Sequence, residues 1–254
     1  GDFVVRARAT YIAPDETSKL YSQTLTHSVD LGAGANLVVD SNTIPEIDFS
    51  YYITKNIAAE LILALGSRHD VEISGGTYPQ KLGSVNLLPP TLTAQWHFNP
   101  DQTFDPYAGA GLSYVRAMDR GLALAGGGTA ISIDRNMWGP AIQAGIDVNL
   151  QDKWLVNFDV KKIWFNTDVF ANPSTKIDSL DIDPWVVSFG IGIGITSLSG
   201  AFNGSINLTN IPASLPNTVT DISYMFFNAK VLNDINILSW NLTNIINMDY
   251  VLAD

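Results

Sequence analysis

LPPTLTAQWHFNPDQTFDPYAGAGLSYV, residues 88–115, consists of two alternating segments joined by a short Asn-Pro-Asp-Gln turn. In the first arm Leu92, Ala94, Trp96 and Phe98 share one parity, while Thr91, Thr93, Gln95 and His97 share the other. This is the period-two pattern of a strand with one apolar and one polar face. In the second arm Ala108, Ala110, Leu112 and Tyr114 alternate with Gly109, Gly111 and Ser113. The second parity is nearly bare of side chains, as a crowded or ligand-lined interior requires. The apolar face must therefore point outward, and the segment reads as one hairpin of a barrel.

The same pattern extends both ways along the chain. Phe3 to Ile12 places Phe3, Val5, Ala7, Ala9 and Tyr11 on one face and Arg6, Arg8 and Thr10 on the other. From Pro45 to Ile53, Ile47, Phe49, Tyr51 and Ile53 alternate with Glu46, Asp48 and Ser50. Inward charges need partners, so Arg6, Arg8, Glu46 and Asp48 are expected to form a lumenal ion network of structural rather than catalytic kind. A third strand runs over 57–65 and turns Ala58, Glu60, Ile62 and Ala64 inward. A sixth runs over 138–150 and a seventh over 154–164, the latter with Asn157, Asp159 and Lys161 inward. An eighth runs from Ile177 to about Ile195. Eight strands result. Their connections alternate between short turns and long loops at 14–42, 66–86, 119–135 and 166–176, the first three carrying glycines, as in barrels with periplasmic turns and extracellular loops.

Aromatic residues fall at the strand ends. Phe3, Tyr51, Phe98 and Trp154 lie beside the short turns, and Tyr11, Tyr114, Trp138, Trp164 and Trp185 lie toward the long loops, which reads as two interfacial girdles. Trp154 to Trp164 spans ten residues. At ~3.3 Å per residue and a tilt of about 40°, that covers roughly 25 Å of membrane normal.

Composition agrees with a membrane barrel. The 254 residues are 46% hydrophobic and 15% charged, with no cysteine and a net charge of −11, which argues against a nucleic-acid partner. No run of 18 or more apolar residues is present, so a bilayer would be crossed only by a closed barrel. The opening Gly1-Asp2-Phe3 fits a mature chain whose signal peptide has been removed.

PPT-x-x-AQW-x-F followed by PY-x-GAG-x-x-Y resembles the OmpW family, as do WGPAIQAGIDV, KWLVNFDVKKIWF and LDIDPWVVSFGIG near the end of the barrel. The resemblance covers about residues 3–194, within a barrel domain of residues 1–194. It implies an eight-stranded antiparallel up-and-down transmembrane β-barrel in a Gram-negative outer membrane. It further implies a partnership with the lipid bilayer and lipopolysaccharide, and passive passage of small hydrophobic molecules through a narrow lumen and an opening in the wall. Ile62 and Val186 have inward parity yet are apolar, which marks them as candidates for the ligand path. Pro89 and Pro90 interrupt ladder hydrogen bonds where the fourth strand begins, a candidate wall opening.

Residues 195–254 change character. They hold ten asparagines, against ten in the preceding 194 residues, which places a boundary near Gly194. The patterns Ile195-x-x-Leu198-x-x-x-Phe202, Val219-x-x-Ile222-x-x-x-Phe226 and Ile245-x-x-Met248-x-x-x-Leu252 recur at spacings of 24 and 26, a solenoid period. TDISYMFFNAKVLNDINILSWNLTNIINMDYV resembles BspA-like leucine-rich repeats. That resemblance implies a short α/β solenoid fragment over 195–254 with a possible protein partner, and an alternative function as a membrane-anchored interaction protein.

Catalytic chemistry has little support. His27, His69 and His97 lie in different elements with no HExxH, GxSxG or phosphate-cradling glycine motif around them. Asp178, Asp181 and Asp183 read as a solvated acidic rim rather than a cation site. No enzyme activity, cofactor or metal is expected.

Overall fold

The structure is a computed structural model. It describes residues 2–26, 31–125, 129–150, 153–171, 174–195, 197–205, 208, 210–211, 213–215, 218–229 and 239–252; His27, Gly126 to Gly128 and the turn residues Gln151 and Asp152 lie outside them. Eight strands close into an antiparallel barrel: β1 (Asp2–Ala13), β3 (Asn42–Tyr52), β4 (Ile57–Ala64), β7 (Thr91–His97), β8 (Phe104–Ala123), β10 (Asn136–Asn149), β11 (Trp154–Ile163) and β14 (Trp185–Gly194). Each pairs with the next in this order, and β14 returns to β1 through Val4↔Gly194 to Ala13↔Trp185. Closure leaves no free edge among these eight strands, the condition for placing a sheet in hydrocarbon.

All four long loops expected from sequence carry secondary structure of their own. Between β1 and β3 lie α1 (Leu20–Thr26) and β2 (Asn36–Val39); between β4 and β7 lie β5 (Ser67–Ser74) and β6 (Gln80–Leu88); β9 (Ala130–Ile133) precedes β10. The β8 strand continues for 20 residues and carries β6 and β9 along its upper half. The fourth connection holds β12 (Asn166–Ala171) and β13 (Thr175–Asp181), which pair with each other. The barrel wall thus rises well above the membrane band.

The eighth strand is also corrected. The expected run from Ile177 breaks into β13 and β14 at residues 182–184. Pro184 supplies no N–H there, Asp183 turns to φ 38°, and Asp183 Oδ1 accepts a hydrogen bond from the Phe165 backbone N–H at 3.0 Å. Only β14 belongs to the barrel.

Facing follows parity in the lower wall. Leu92, Trp96, Phe104, Leu112, Ile142, Phe158, Phe189 and Ile191 are exposed on the outer face, while Arg6, Glu60, Gln95, Asp105, Asn157 and Asp159 are buried in the lumen. Gly109 is bare for a steric reason, since a Cβ there would lie 3.1 Å from Gln143 Cγ and 3.2 Å from Gln95 Cγ. All nine girdle aromatics have outward parity. Phe3 stacks beside Tyr51 at 4.8 Å, and Tyr114 beside Trp138 at 4.5 Å between ring centroids. Lys162 shares the outward parity at the upper level, 5.0 Å from the Trp185 ring, with Nζ 3.0 Å from Asp15 Oδ2, so its charge reaches above the apolar band.

Beyond Gly194 the described residues form stacked coils. Parallel bridges join Ser197 to Asp221 and Asp221 to Asn247, at the spacings of 24 and 26. Phe202 stacks on Phe226 at 5.5 Å and Tyr224 on Tyr250 at 5.1 Å. Their apolar cluster, centred on Val219, Ile222, Met225 and Phe226, shares no residue with the cluster in the barrel. The coils meet the short-turn end of the barrel, where the Thr218 N–H donates to Asp2 Oδ1 at 3.2 Å and Lys153 Nζ donates to the Thr218 carbonyl.

Neighbouring positions on β10 test the facing. Ile142→Arg, outward and half exposed, should cost about 2–4 kcal/mol of folding free energy in lipid vesicles, whereas Gln143→Lys, lumenal and beside Glu60 and Asp159, should cost clearly less. Equal costs in a denaturant titration would reverse the assignment. In the last of the described coils Ile246, Met248, Tyr250 and Leu252 stay exposed. Amide exchange across residues 219–229 should therefore outpace exchange in β1 and β14, and slower exchange there would contradict a weakly held terminal unit.

Candidate functional site

The lumen divides into two halves of opposite chemistry. The lower half is packed with charge. Arg6 Nη1 donates to Asp48 Oδ1 at 3.1 Å and Arg6 Nη2 to Asp147 Oδ2 at 2.6 Å; Arg8 Nε is 3.0 Å from Glu46 Oε1, and Arg8 Nη2 is 2.6 Å from Asp48 Oδ2. Arg6, Arg8, Glu46 and Asp48 thus lie together, on the paired strands β1 and β3, where the register sets Arg6 opposite Asp48 and Arg8 opposite Glu46.

Sequence reasoning turned Glu60, Asn157, Asp159 and Lys161 inward but did not join them to this cluster. Glu60 accepts from Arg8 Nη2 at 2.9 Å through one oxygen, and from Gln95 at 2.7 Å and Gln143 at 3.0 Å through the other. Lys161 Nζ lies 2.5 Å from Asp159 Oδ1 and 3.8 Å from Glu46 Oε1. Tyr107 donates to Asp159, and Asn157 bridges Tyr107 and Asp147. His97 Nδ1 is 2.7 Å from Asp105 Oδ2, with its ring between those of Tyr52 and Tyr107. The available signal was inward parity on each strand. Arg6, Asp48, Glu60, His97, Asn157 and Asp159 are wholly inaccessible, so side chains fill the lumen at this height.

Above this floor the lining turns apolar. Ile62 and Val186, both buried, open the upper half together with Val39, Leu87, Val115, Met137, Phe165 and Leu180, while Thr10, Glu46, Thr91 and Lys161 mark its base. The chamber has a free volume of about 80 Å³ and adjoins a wider one of about 290 Å³ between α1, β2 and β9; Leu37, Leu82 and Ile131 line both. Free volume is therefore smaller beside the ionic floor than toward the mouth.

Pro89 lines the chamber. The ladder between β4 and β7 ends at Ile62↔Thr91, and the ladder between β5 and β6 starts at Ser67↔Leu87, so 63–66 face 88–90 with no ladder pair recorded between them. Pro89 and Pro90 bring no N–H, Leu65 donates to the Pro45 carbonyl on the β3 side, and the Pro90 carbonyl accepts from Tyr114. Gly66, at φ 71°, provides the bend that separates β4 from β5.

At the mouth, Asp168 on β12 accepts hydrogen bonds from Lys176 and Ser179, which hold its carboxyl below the usual carboxylate range and tie β12 to β13. Asp178 is buried and accepts from the Ser18 hydroxyl and the Lys19 backbone N–H. Among the described residues no group of His, Asp and Glu is arranged to hold a metal ion.

Residues 1–194 match the family model described as the OmpW family. Outer membrane protein W of Escherichia coli (strain K12) is 33% identical over 201 residues, covering 76% of this chain and 87% of that protein. The uncharacterized outer-membrane protein y4mB of Sinorhizobium fredii is 38% identical over 164 residues, covering 62% of this chain and 68% of that protein. Among solved structures, the outer membrane protein OprG from Pseudomonas aeruginosa aligns with a TM-score of 0.67 at 28% identity, over 77% of this chain and 96% of OprG. A lumen that is polar where the outer wall is apolar has its use in a lipid bilayer, and the family match spans the same strands that build it: the chain belongs to the OmpW family, outer-membrane β-barrels of bacteria.

Proposed function

We propose that the barrel is a passive channel through which small hydrophobic molecules cross the outer membrane. The reversal of polarity above the ionic floor carries this reading. A barrel needing only to be stable has no use for an apolar passage that begins at its outer mouth, passes Ile62 and Val186, and ends against charge. Such a passage desolvates an apolar solute on entry and refuses ions, whose dehydration there would go uncompensated. The packed floor opposes a straight path to the periplasm. The wall at Pro89 and Pro90, where ladder hydrogen bonds lapse, is the exit toward lipid in this reading. Lipopolysaccharide would then surround the raised wall.

Residues 195–254 we read as a separate appended unit of the repeat kind, on the support of their own apolar cluster and their 24- and 26-residue stacking. They attach at the short-turn end, the periplasmic side of such barrels.

Uptake of a short alkane by liposomes holding the full chain tests the channel. Ile62→Glu and Val186→Glu should each lower the protein-dependent rate by about tenfold, because a carboxylate placed there keeps water in the passage. Rates equal to wild type in both variants, with folding shown by heat-modifiable migration, would refute the route. Replacing Pro89 and Pro90 together by Val restores two N–H donors. If the wall is the exit, that pair should also slow uptake while leaving Ile62 and Val186 intact.

A further inference from the structure

Apart from Thr167, one polar pair interrupts the apolar lining above the floor. Ser67 and His69 are two positions apart on β5, share its inward face, and are 1% and 2% exposed. Both line the lower chamber. The Ser67 hydroxyl oxygen lies 2.6 Å from His69 Nε2, and His69 Nδ1 lies 2.8 Å from the Asp40 backbone carbonyl oxygen. The Asp40 carboxylate stands nearby, with Oδ1 3.7 Å from the same Nδ1 and accepting a hydrogen bond from the Asp70 N–H.

For the neutral imidazole, these contacts fix the direction of each hydrogen along Ser67, His69 and the Asp40 carbonyl. A carbonyl oxygen can only accept, so Nδ1 carries the ring hydrogen. In the neutral imidazole Nε2 then holds a lone pair, and Ser67 donates its single hydroxyl hydrogen to it. The Ser67 oxygen is left with lone pairs alone to offer the chamber. An otherwise ambivalent hydroxyl has become a pure acceptor.

The geometry points to a recognition site for the hydroxyl group of an aliphatic alcohol or a phenol, with Ser67 accepting the solute's O–H. This inference rests on the channel reading and names the solute class. An ether or ester of equal size presents lone pairs to lone pairs, and an alkane leaves the Ser67 oxygen with no donor. A site built to pair with a hydroxyl discriminates against analogues lacking it, because its own polar atom is then stranded in an apolar surround. The position suits the task. Ser67 pairs with Leu87, two residues before Pro89, so a bound hydroxyl sits just above the break in the wall, with Ile62 and Leu87 left to receive the carbon chain.

Calorimetric titration of the full chain in lipid nanodiscs, with empty nanodiscs as the blank for partition into lipid, decides the matter. The probes are octan-1-ol and its isomer methyl heptyl ether. Wild type should bind the alcohol roughly five- to tenfold more tightly, the worth of one hydrogen bond. Ser67→Ala should remove the preference by weakening only the alcohol. His69→Phe frees the Ser67 hydrogen to donate, so the ether should gain and the ratio shrink. Equal binding of both probes by wild type would overturn hydroxyl recognition and leave the channel standing. A preference retained in Ser67→Ala would overturn it as well. Failure of both probes to bind above the blank would overturn the inference together with the channel reading beneath it.

Discussion

Every backbone N–H and C=O within hydrocarbon must find a partner inside the protein, and that requirement governs the lower half of this structure. It forces closure, so β14 must return to β1 over ten registered pairs. Closure at eight strands gives a lumen only wide enough for side chains. Once the outer face is committed to lipid, the inner face has to take the polar residues, and a lumen of this width brings their charges within contact of one another. The network around Arg6, Arg8 and Glu60 is therefore a consequence of the closed ladder as much as an addition to it.

Where the wall leaves the membrane, the constraint relaxes and the pattern turns over. On β5, Arg68, Asp70 and Glu72 point outward while His69, Val71 and Ile73 are buried. This is the arrangement of a water-soluble protein, with the apolar side chains gathered within. One continuous wall thus encloses a charged lumen below and an apolar one above, and the level of Glu46 and Lys161 is where the two meet.

This change of phase explains what could be read from the sequence. The membrane strands were legible because each turns its apolar parity to lipid, and β10, from Trp138 to Val148, does so without interruption. Ser67 to Ser74 alternates just as regularly, but its charges lie on the parity that faces water, and beside Gly75 and Gly76 it read as a loop. The long eighth strand was misread because Ile177 and Trp185 share one parity across Asp183 and Pro184, and parity alone cannot see a strand broken by a missing donor. In the lumen, pairs between neighbours such as Arg6 and Asp48 follow from hairpin register. Asp147, Asp159 and Lys161 reach the same cluster from across the barrel, and distance in sequence hid them. The pairing of Ser67 with His69 escaped notice because it depends on a carbonyl of Asp40, which has no signature in residue type.

The span of that cluster bears on how the barrel comes together. Arg6 is paired to Asp48 from the adjacent strand, but also to Asp147, 141 residues later in the chain. A sheet that has formed its first strands and not its last holds two arginines and several carboxylates without their full set of partners, at the depth where an unpaired charge is most costly. Partial barrels are penalised accordingly, and the last seam to zip, between β14 and β1, completes the ladder and seals the cluster in one event. Folding and insertion should then be tightly cooperative, with the charges of the lumen acting as a latch that engages only on the finished cylinder.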